Sequence, residues 1–168
     1  RLRDMINLIR ESTEVFYTDE SIINISNRDI EDLKQKMILS NNDRIRLCTH
    51  RAKEDFLHEM LIIHTNKCYV RPHKHINKVE SITVLEGLAK IIIFNDDGSV
   101  FEELSIGCHD SGRVFYHRMN IEKYHMFVIQ SDFFIFHEVT QGPFDKKHTM
   151  FPDWSPKEYS QEFINKFA

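Results

Sequence analysis

The apolar residues of this chain change their period near residue 44, and that change restricts the folds open to it. Before that point Ile30, Leu33, Met37 and Ile38 recur at the spacing of a helix. From about residue 44 to 141, apolar and polar residues alternate in short segments between turn signals. Roughly eight segments at a spacing of about 8 to 12 residues predict an all-β domain, a small antiparallel β-barrel or jelly roll.

The chain divides into three parts on this pattern. Residues 1–43 predict a short helical N-terminal arm, in which Ser26 caps a helix that ends near Leu39. Residues 44–142 predict the barrel, and residues 143–168 predict an irregular tail that packs on it. The predicted strands cover residues 58–64, 68–75, 80–85, 88–94, 100–104, 114–119, 125–130 and 133–140.

Composition excludes several classes of protein. The 22 Lys and Arg against 26 Asp and Glu leave a net charge of −4, which argues against a nucleic-acid partner. Apolar runs do not exceed four residues, so we expect no membrane span and a cytoplasmic location. The three cysteines, Cys48, Cys68 and Cys108, are widely spaced and predict neither a disulfide framework nor a zinc knuckle.

Histidine is enriched, with ten copies, and two of them form a pair at strand spacing. His73 and His75 are separated by one residue, so both imidazoles face the same side of a strand. Glu80 follows after a connection of four residues, and His125 begins a later strand. Imidazole and carboxylate groups suit first-row divalent metals and leave open coordination positions. The pattern predicts a metal site.

The spacing from His73 through His75 and Glu80 to Gly87 resembles the first motif of the cupin superfamily, and His125 falls where the second motif has its last histidine. Flanking segments narrow the resemblance to the WbuC family of cupin-fold metalloproteins, over roughly residues 44–156. These segments are residues 69–75, 94–98 and 138–145, followed by Phe151, Trp154 and Pro156. The chain departs from the pattern at Lys67, Asn120 and Glu122, where the motifs usually have Gly, Pro and Gly.

The resemblance implies a cupin barrel and an association with surface-polysaccharide (O-antigen or capsule) biosynthesis, without a defined reaction. Carried over residue by residue, it implies that His73, His75, Glu80 and His125 hold a divalent metal ion. The donor set suits Fe, Mn, Zn or Ni, and the sequence does not choose among them.

Other residues are candidates for substrate contact or catalysis. Arg71 shares a face with His73, so it is a candidate to bind a phosphate or carboxylate, with a surface salt bridge as the alternative. His137 and Glu138 are adjacent on a strand, so only one of them points inward; Glu138 is the candidate to move a proton. Trp154 could stack on a sugar ring or belong to an aromatic lid.

Arg44 and Arg46 alternate like strand residues and could close one rim of the barrel, although a solvated strand edge is the simpler interpretation. The other histidines, including His64, have no partner at ligand spacing, and we assign them no role.

Two classes of function fit these features. One is a metal-dependent enzyme, an isomerase or epimerase acting on a sugar derivative, with an Fe(II) dioxygenase as the enzymatic alternative. The other is a non-catalytic cupin that binds a small ligand in a regulatory role. We also expect a homodimer, because an open barrel exposes strand edges that pairing would cover.

Overall fold

Two facing β-sheets make up the body of the protein, described here for residues 5–168 of a computed structural model. Residues 1–4, the beginning of the predicted arm, lie outside the described residues. The elements in chain order are β1 (Ile9–Arg10), β2 (Val15–Tyr17), α1 (Asn27–Leu39), β3 (Arg44–Cys48), β4 (Leu57–Thr65), β5 (Lys74–His75), β6 (Glu80–Glu86), β7 (Leu88–Phe94), β8 (Val100–Gly107), β9 (Tyr116–Met119), β10 (Tyr124–Ile129), β11 (Phe133–Gln141), β12 (Thr149–Met150) and α2 (Gln161–Ile164).

The larger sheet has seven strands in the order β1-β2-β3-β4-β11-β6-β9, and the smaller has three in the order β10-β7-β8. A two-stranded ribbon of β12 and β5 lies beside them. All strand pairs are antiparallel except β2 with β3. The sheets form an open two-sheet jelly roll, and the all-β prediction is confirmed.

The space between the two sheets is filled by the inward residues of each strand. Ile62 and Phe136 of the larger sheet share this buried cluster with Ile91, Ile93 and Ile106 of the smaller one. Alternation along each strand sends the remaining residues to the outer faces. The core therefore lies where the period-2 pattern of the sequence predicts it.

Each outer face is covered by a segment from one end of the chain. Helix α1 packs Leu33 and Met37, both fully buried, on the outer face of the larger sheet. Ser26 precedes the helix, and its backbone N–H donates to the Asp29 carboxylate over 2.7 Å, which holds the first turn. On the smaller sheet, Phe94 and Met126 are covered by residues of the C-terminal tail.

The arm before α1 contains two short strands that the sequence did not predict. The predicted helix begins only at Ser26, and the residues before it form β1 and β2, with Phe16 paired in parallel with Leu47 to extend the larger sheet. Val15 and Tyr17 pack toward the inter-sheet core while Phe16 packs toward α1. A strand of three residues carries too little pattern to be recognised in a sequence, and its partner strand determines it.

The predicted strand at residues 68–75 is also shorter than expected. Only Lys74–His75 is a strand, and His73 joins His125 through an isolated bridge. Pro72 has no N–H to donate to a strand ladder, and the Arg71 side chain is bound to the C-terminal tail.

Among the described residues, no helix has both the length and the apolar character that crossing a membrane requires.

Candidate metal centre and cavity

Three histidines meet at one end of the space between the sheets. His73 and His125 are held together by two backbone hydrogen bonds, of 3.1 and 2.9 Å. His75 follows on β5, and Glu80 begins β6. The ring centroids lie 4.5 Å apart for His73 and His125, 5.0 Å for His73 and His75, and 5.8 Å for His75 and His125. One nitrogen from each ring lies within 4.8 Å of the others, so the cluster could hold a metal ion.

Each imidazole of this cluster is oriented through its Nδ1 atom, which lies within hydrogen-bonding distance of an oxygen. The partners are the Arg71 carbonyl for His73 at 2.8 Å, the Lys123 carbonyl for His125 at 3.1 Å and the Thr149 hydroxyl for His75 at 3.2 Å. A carbonyl can only accept, so Nδ1 of His73 and of His125 carries the proton. The Nε2 atoms of His73 and His125 are therefore the ones available to a cation, His125 after it gives up the proton that it shares with Glu80.

Glu80 bridges two of the histidines. Its Oε1 lies 2.7 Å from Nε2 of His125, and its Oε2 lies 3.3 Å from Nε2 of His75. Burial alone would raise the pKa of Glu80, but the positive charge of His125 and its hydrogen bond hold that pKa well below the usual range. Burial would likewise lower the pKa of His125, and Glu80 outweighs it. The pair thus holds a proton where a metal would supply positive charge.

His73 differs from His125 in its protonation. Burial, followed by the neighbouring charge of His125, lowers the pKa of His73 to about 3. The ring is neutral at physiological pH, which is the form that binds a metal. Three Nε2 atoms with fixed orientation and one ionised carboxylate are a donor set that fits a first-row divalent ion.

The turn that leads to His125 is remodelled without losing the histidine. Glu122, at a position where the cupin motif usually has Gly, keeps a negative φ, and the left-handed backbone is taken by Asn77 with φ of 54°. The Glu122 carboxylate accepts the backbone N–H of Asn77 over 2.8 Å. The substitution therefore ties this turn to the loop between β5 and β6.

A cavity of about 830 Å³ opens beside the histidine cluster. Its walls are the cluster itself, the inner face of the larger sheet and the tail. Arg46, His64 and Glu138 line the sheet wall, and Phe151 and Tyr159 line the tail side. This volume is in the range of small-molecule sites.

Glu138 is the member of the 137–138 pair that faces the cavity. Its neighbour His137 lies on the opposite face, where its Nε2 is 3.7 Å from the Glu59 carboxylate. Burial, followed by repulsion from Glu80, raises the pKa of Glu138 to about 7. A carboxyl group with such a pKa can both accept and donate a proton near neutral pH.

Arg71 lines the cavity, but much of its guanidinium is already engaged by the tail. Its Nε donates to the Ser155 hydroxyl over 3.0 Å, and one Nη donates to the Pro152 carbonyl over 3.1 Å. The guanidinium carbon also lies 4.8 Å from the centre of the Phe151 ring. Arg71 therefore fastens the tail at the cavity mouth, with one Nη left over.

Trp154 lies away from the cavity, on the outer side of the smaller sheet. Its ring packs against Phe94 at 5.0 Å and Tyr124 at 5.8 Å, and its Nε1 donates to the Asp96 carbonyl over 3.0 Å. Gly98, with φ of 86°, brings the 95–98 turn directly under the indole, where a Cβ would lie 3.0 Å from the ring. The structure thus gives Trp154 a packing role and does not bring it to the cavity.

Sequence reasoning missed several residues of the site. Thr149 orients His75 from a strand of two residues, and Tyr69 and Tyr159 line the cavity with their rings 6.2 Å apart. Arg46 is expected from the sequence at a rim or a solvated strand edge, and His64 has no assigned role, but both line the wall of the cavity. The alternation of Arg44 with Arg46 was the available signal, but the sequence does not show what lies opposite.

Comparison with known proteins gives a partial family match. Residues 25–106, a little under half of the chain, match the family described as Domain of unknown function (DUF6016). No curated protein matches the chain in sequence.

Solved structures resemble the protein at low sequence identity. A protein from Shewanella oneidensis has a TM-score of 0.51 at 10% identity, with 72% of this chain and 77% of that chain covered. CapF, solved with the inhibitor 3-isopropenyl-tropolone, has a TM-score of 0.50 at 14% identity, with coverage of 65% and 31%. Bacillus subtilis oxalate decarboxylase, described with Mn(II) centres, has a TM-score of 0.46 at 12% identity, with coverage of 68% and 31%.

The chain spans only 24% of the length of the oxalate decarboxylase chains that it matches first. At these identities the likeness concerns the fold. The likeness to the two structures with TM-scores of 0.51 and 0.50, together with the two-sheet topology, shows that the protein has the cupin jelly-roll fold.

Proposed function

We propose that the protein is a metal-dependent cupin that binds a small sugar derivative and moves a proton on it, as an isomerase or epimerase does. The observation that carries this proposal is the position of Glu138, a cavity-facing carboxyl group with a pKa of about 7 beside a three-histidine cluster. A site of this kind supplies a proton acceptor next to a place for a cation.

In this proposal His73, His75 and His125 hold a divalent metal ion, Fe, Mn, Zn or Ni, with Glu80 as the fourth ligand. Such an ion, when bound, supplies Lewis acidity toward a carbonyl or hydroxyl oxygen. Glu80 is suited to the role because its carboxylate already contacts two of the imidazoles. The carbonyl groups of Arg71 and Lys123 keep the rings of His73 and His125 in the orientation that binding needs.

Glu138 takes a proton from a carbon or hydroxyl of the bound molecule and returns it. Its pKa near 7 means that both protonation states are populated at neutral pH, so uptake and release are each accessible. The tail held by Arg71 lies along the cavity and limits how a bound molecule can enter it.

The sequence motifs support a narrower proposal about the process in which the protein acts. Their resemblance to the WbuC family is the basis on which we propose an association with surface-polysaccharide biosynthesis; a cytoplasmic location stays an expectation from the sequence. The hydrogen bonds to the tail use Nε and one Nη of Arg71, so we propose that its other Nη makes a minor contact to the bound molecule.

The test has two steps. Protein purified without added metal is analysed for Fe, Mn, Zn and Ni, and is then incubated in deuterated water with nucleotide sugars and simple sugar derivatives while carbon-bound hydrogens are followed by NMR. Metal-dependent deuterium incorporation supports the proposal. Binding without exchange favours the regulatory alternative, and oxygen consumption with substrate favours an Fe(II) dioxygenase.

A further inference from the structure

The inner face of the larger sheet carries a cation, Arg46, that makes no close ion pair with the described residues and is only partly compensated by the Glu138 carboxyl. Arg46 lines the cavity, and among residues 5–168 its guanidinium forms no ion pair; its one side-chain contact of hydrogen-bond type is to Met60 Sδ, at 4.0 Å. By contrast, Arg44 lies 3.8 Å from the Glu14 carboxylate. Placing a cation in a partly closed cavity without a counter-charge costs free energy, which a bound anion offsets.

The carboxylates that line the same cavity supply that counter-charge only in part. Glu80 is bound to His125 and His75, and Glu14 lies beside Arg44. Burial and then repulsion from Glu80 raise the pKa of Glu138 to about 7 although the charge of Arg46 lowers it, so Glu138 offsets the Arg46 charge only in part at neutral pH. The remaining lining acids, Asp43 and Glu158, are matched in number by Lys67 and Lys157.

A second polar group on this wall also lacks a partner. His64 is buried, its ring packs edge-on against Phe136 at 5.4 Å, and its Nδ1 has no hydrogen-bond partner within the described part of the chain. It lies directly opposite Arg44 across the β3–β4 pair. The wall formed by Arg46 and His64 thus has hydrogen-bonding capacity that the protein itself leaves unused.

Strand register places Arg46 on one side of Glu138 and the histidine cluster on the other. Met60, which the Arg46 guanidinium contacts, is the partner of Glu138 across the β4–β11 pair. On its other side Glu138 pairs with Ile82, two residues after Glu80 on the same face of β6. A molecule that spans from the histidine cluster to Arg46 therefore passes Glu138.

We infer that Arg46 is a specificity-determining residue that binds an anionic group of the substrate, a carboxylate or a phosphate, at the end of the cavity away from the metal site. The substrate class is then an acidic sugar derivative, a sugar acid or a sugar phosphate; the sugar part of this inference rests on the proposed function. A guanidinium matches both oxyanions through paired N–H donors, so either source of the anion satisfies the same site.

The test measures binding without metal, so that it is independent of catalysis. Protein treated with EDTA is titrated by calorimetry with glucuronate, glucose 6-phosphate and glucose, which differ in the anion. We expect the two anionic probes to bind and glucose to bind at least about tenfold more weakly. The stronger of the two anionic probes identifies the source of the charge.

Two variants assign the effect to this residue. Arg46→Gln is expected to weaken binding of the anionic probes about tenfold or more, and Arg46→Lys, which keeps the charge without the planar fork, to weaken it less. Arg118→Gln is the matched control. Arg118 is exposed on β9, so this substitution removes the same charge from the outer surface and leaves the cavity unchanged. Circular dichroism checks that each variant is folded. If Arg46→Gln does not fold, the binding comparison is made with Arg46→Lys.

Equal binding of glucose and the anionic probes overturns the inference, as does anion binding that Arg46→Gln and Arg46→Lys leave unchanged, or no binding of either anion at about 10 mM. Failure of the proposed function gives a different result: the metal-free protein binds the anion through Arg46, but metal-loaded protein exchanges no hydrogen.

Discussion

The Nε2 atom of His125 lies 2.7 Å from Oε1 of Glu80, although the two residues belong to different sheets. His125 is on β10 of the three-stranded sheet, and Glu80 is on β6 of the seven-stranded one. The candidate metal centre is thus a junction between the sheets, and it exists only when they are packed together. A metal that binds there should stabilise the folded chain over the unfolded one.

Removing one imidazole should abolish most metal binding and leave the fold intact. The side chain of His75 is 24% exposed and lies on the short ribbon of β5 and β12, outside the buried apolar clusters. We therefore expect His75→Ala to lose most of its metal, measured by inductively coupled plasma mass spectrometry, with an unchanged far-ultraviolet circular dichroism spectrum. His109→Ala is the control, because that side chain is 79% exposed. Full metal content in His75→Ala would contradict the assignment.

Glu138→Gln should remove proton transfer while preserving the shape of the cavity. An amide has nearly the same size as the carboxyl group but cannot take up a proton, so we expect the rate of deuterium exchange to fall by about 100-fold or more. Glu59→Gln is the matched control, since Glu59 lies on the outer face of the same sheet, beside His137. An exchange rate that Glu138→Gln leaves unaltered would show that another group carries the proton.

His64 should make stability depend on pH. Burial, with the charges of Arg44 and Arg46, lowers the pKa of His64 to about 3, whereas an unfolded histidine titrates near 6.5. Between these values the unfolded chain binds a proton that the folded chain does not, so stability falls as the pH drops through this range. The loss from this group approaches about 1.4 kcal/mol per pH unit.

The measurement is urea unfolding of the metal-free protein at pH 5 and pH 7. Replacing His64 by Leu should reduce the difference in unfolding free energy between the two pH values by up to about 2 kcal/mol. His109→Leu should leave that difference as it is in the parent protein. An identical pH dependence in His64→Leu and the parent would mean that His64 is not the titrating group.

Arg71 should hold the C-terminal tail on the cavity. Arg71→Ala removes hydrogen bonds to Ser155 and Pro152 and a cation–ring contact with Phe151, so we expect the free energy of unfolding to decrease by about 1–3 kcal/mol. Trp154 is the single tryptophan of the chain, and its emission should shift to longer wavelength as the segment loosens. Arg118→Ala is the control, and emission that does not respond to Arg71→Ala would contradict the role.

The homodimer stays a prediction, and the structure suggests where to test it. β9 is an edge strand of the larger sheet, and Tyr116 and Phe115 beside it are 50% and 43% exposed. We expect a dimer by sedimentation velocity and a shift toward monomer in Tyr116→Lys, because a lysine on an edge strand opposes pairing. A monomeric mass for the parent protein at micromolar concentration would refute it.

Local pattern was enough to predict much of the fold. The capped helix at Asn27–Leu39, the strand Leu88–Phe94 and the turn at residues 95–98 all follow from short-range features: helical or alternating periodicity and turn-forming residues. The convergence of His73, His75 and Glu80 also follows from short sequence spacing, and His125 joined them through resemblance to a motif. Such features depend on neighbours within a few residues, so the sequence shows them directly.

The remaining features depend on contacts between distant segments. The choice of Glu138 over His137 for the cavity, the parallel pairing of Phe16 with Leu47 and the burial of Trp154 against Phe94 each require knowledge of which surfaces pack together. The lack of an ion pair at Arg46 within the described part of the chain also depends on tertiary packing, because a sequence shows a charge but not whether an ion-pair partner lies beside it. Sequence alone determined most of the long strands and the residue types of the candidate metal centre. Tertiary packing decided the short strands and which side chains face the cavity, since burial and pairing arise only when the two sheets and the tail close around it.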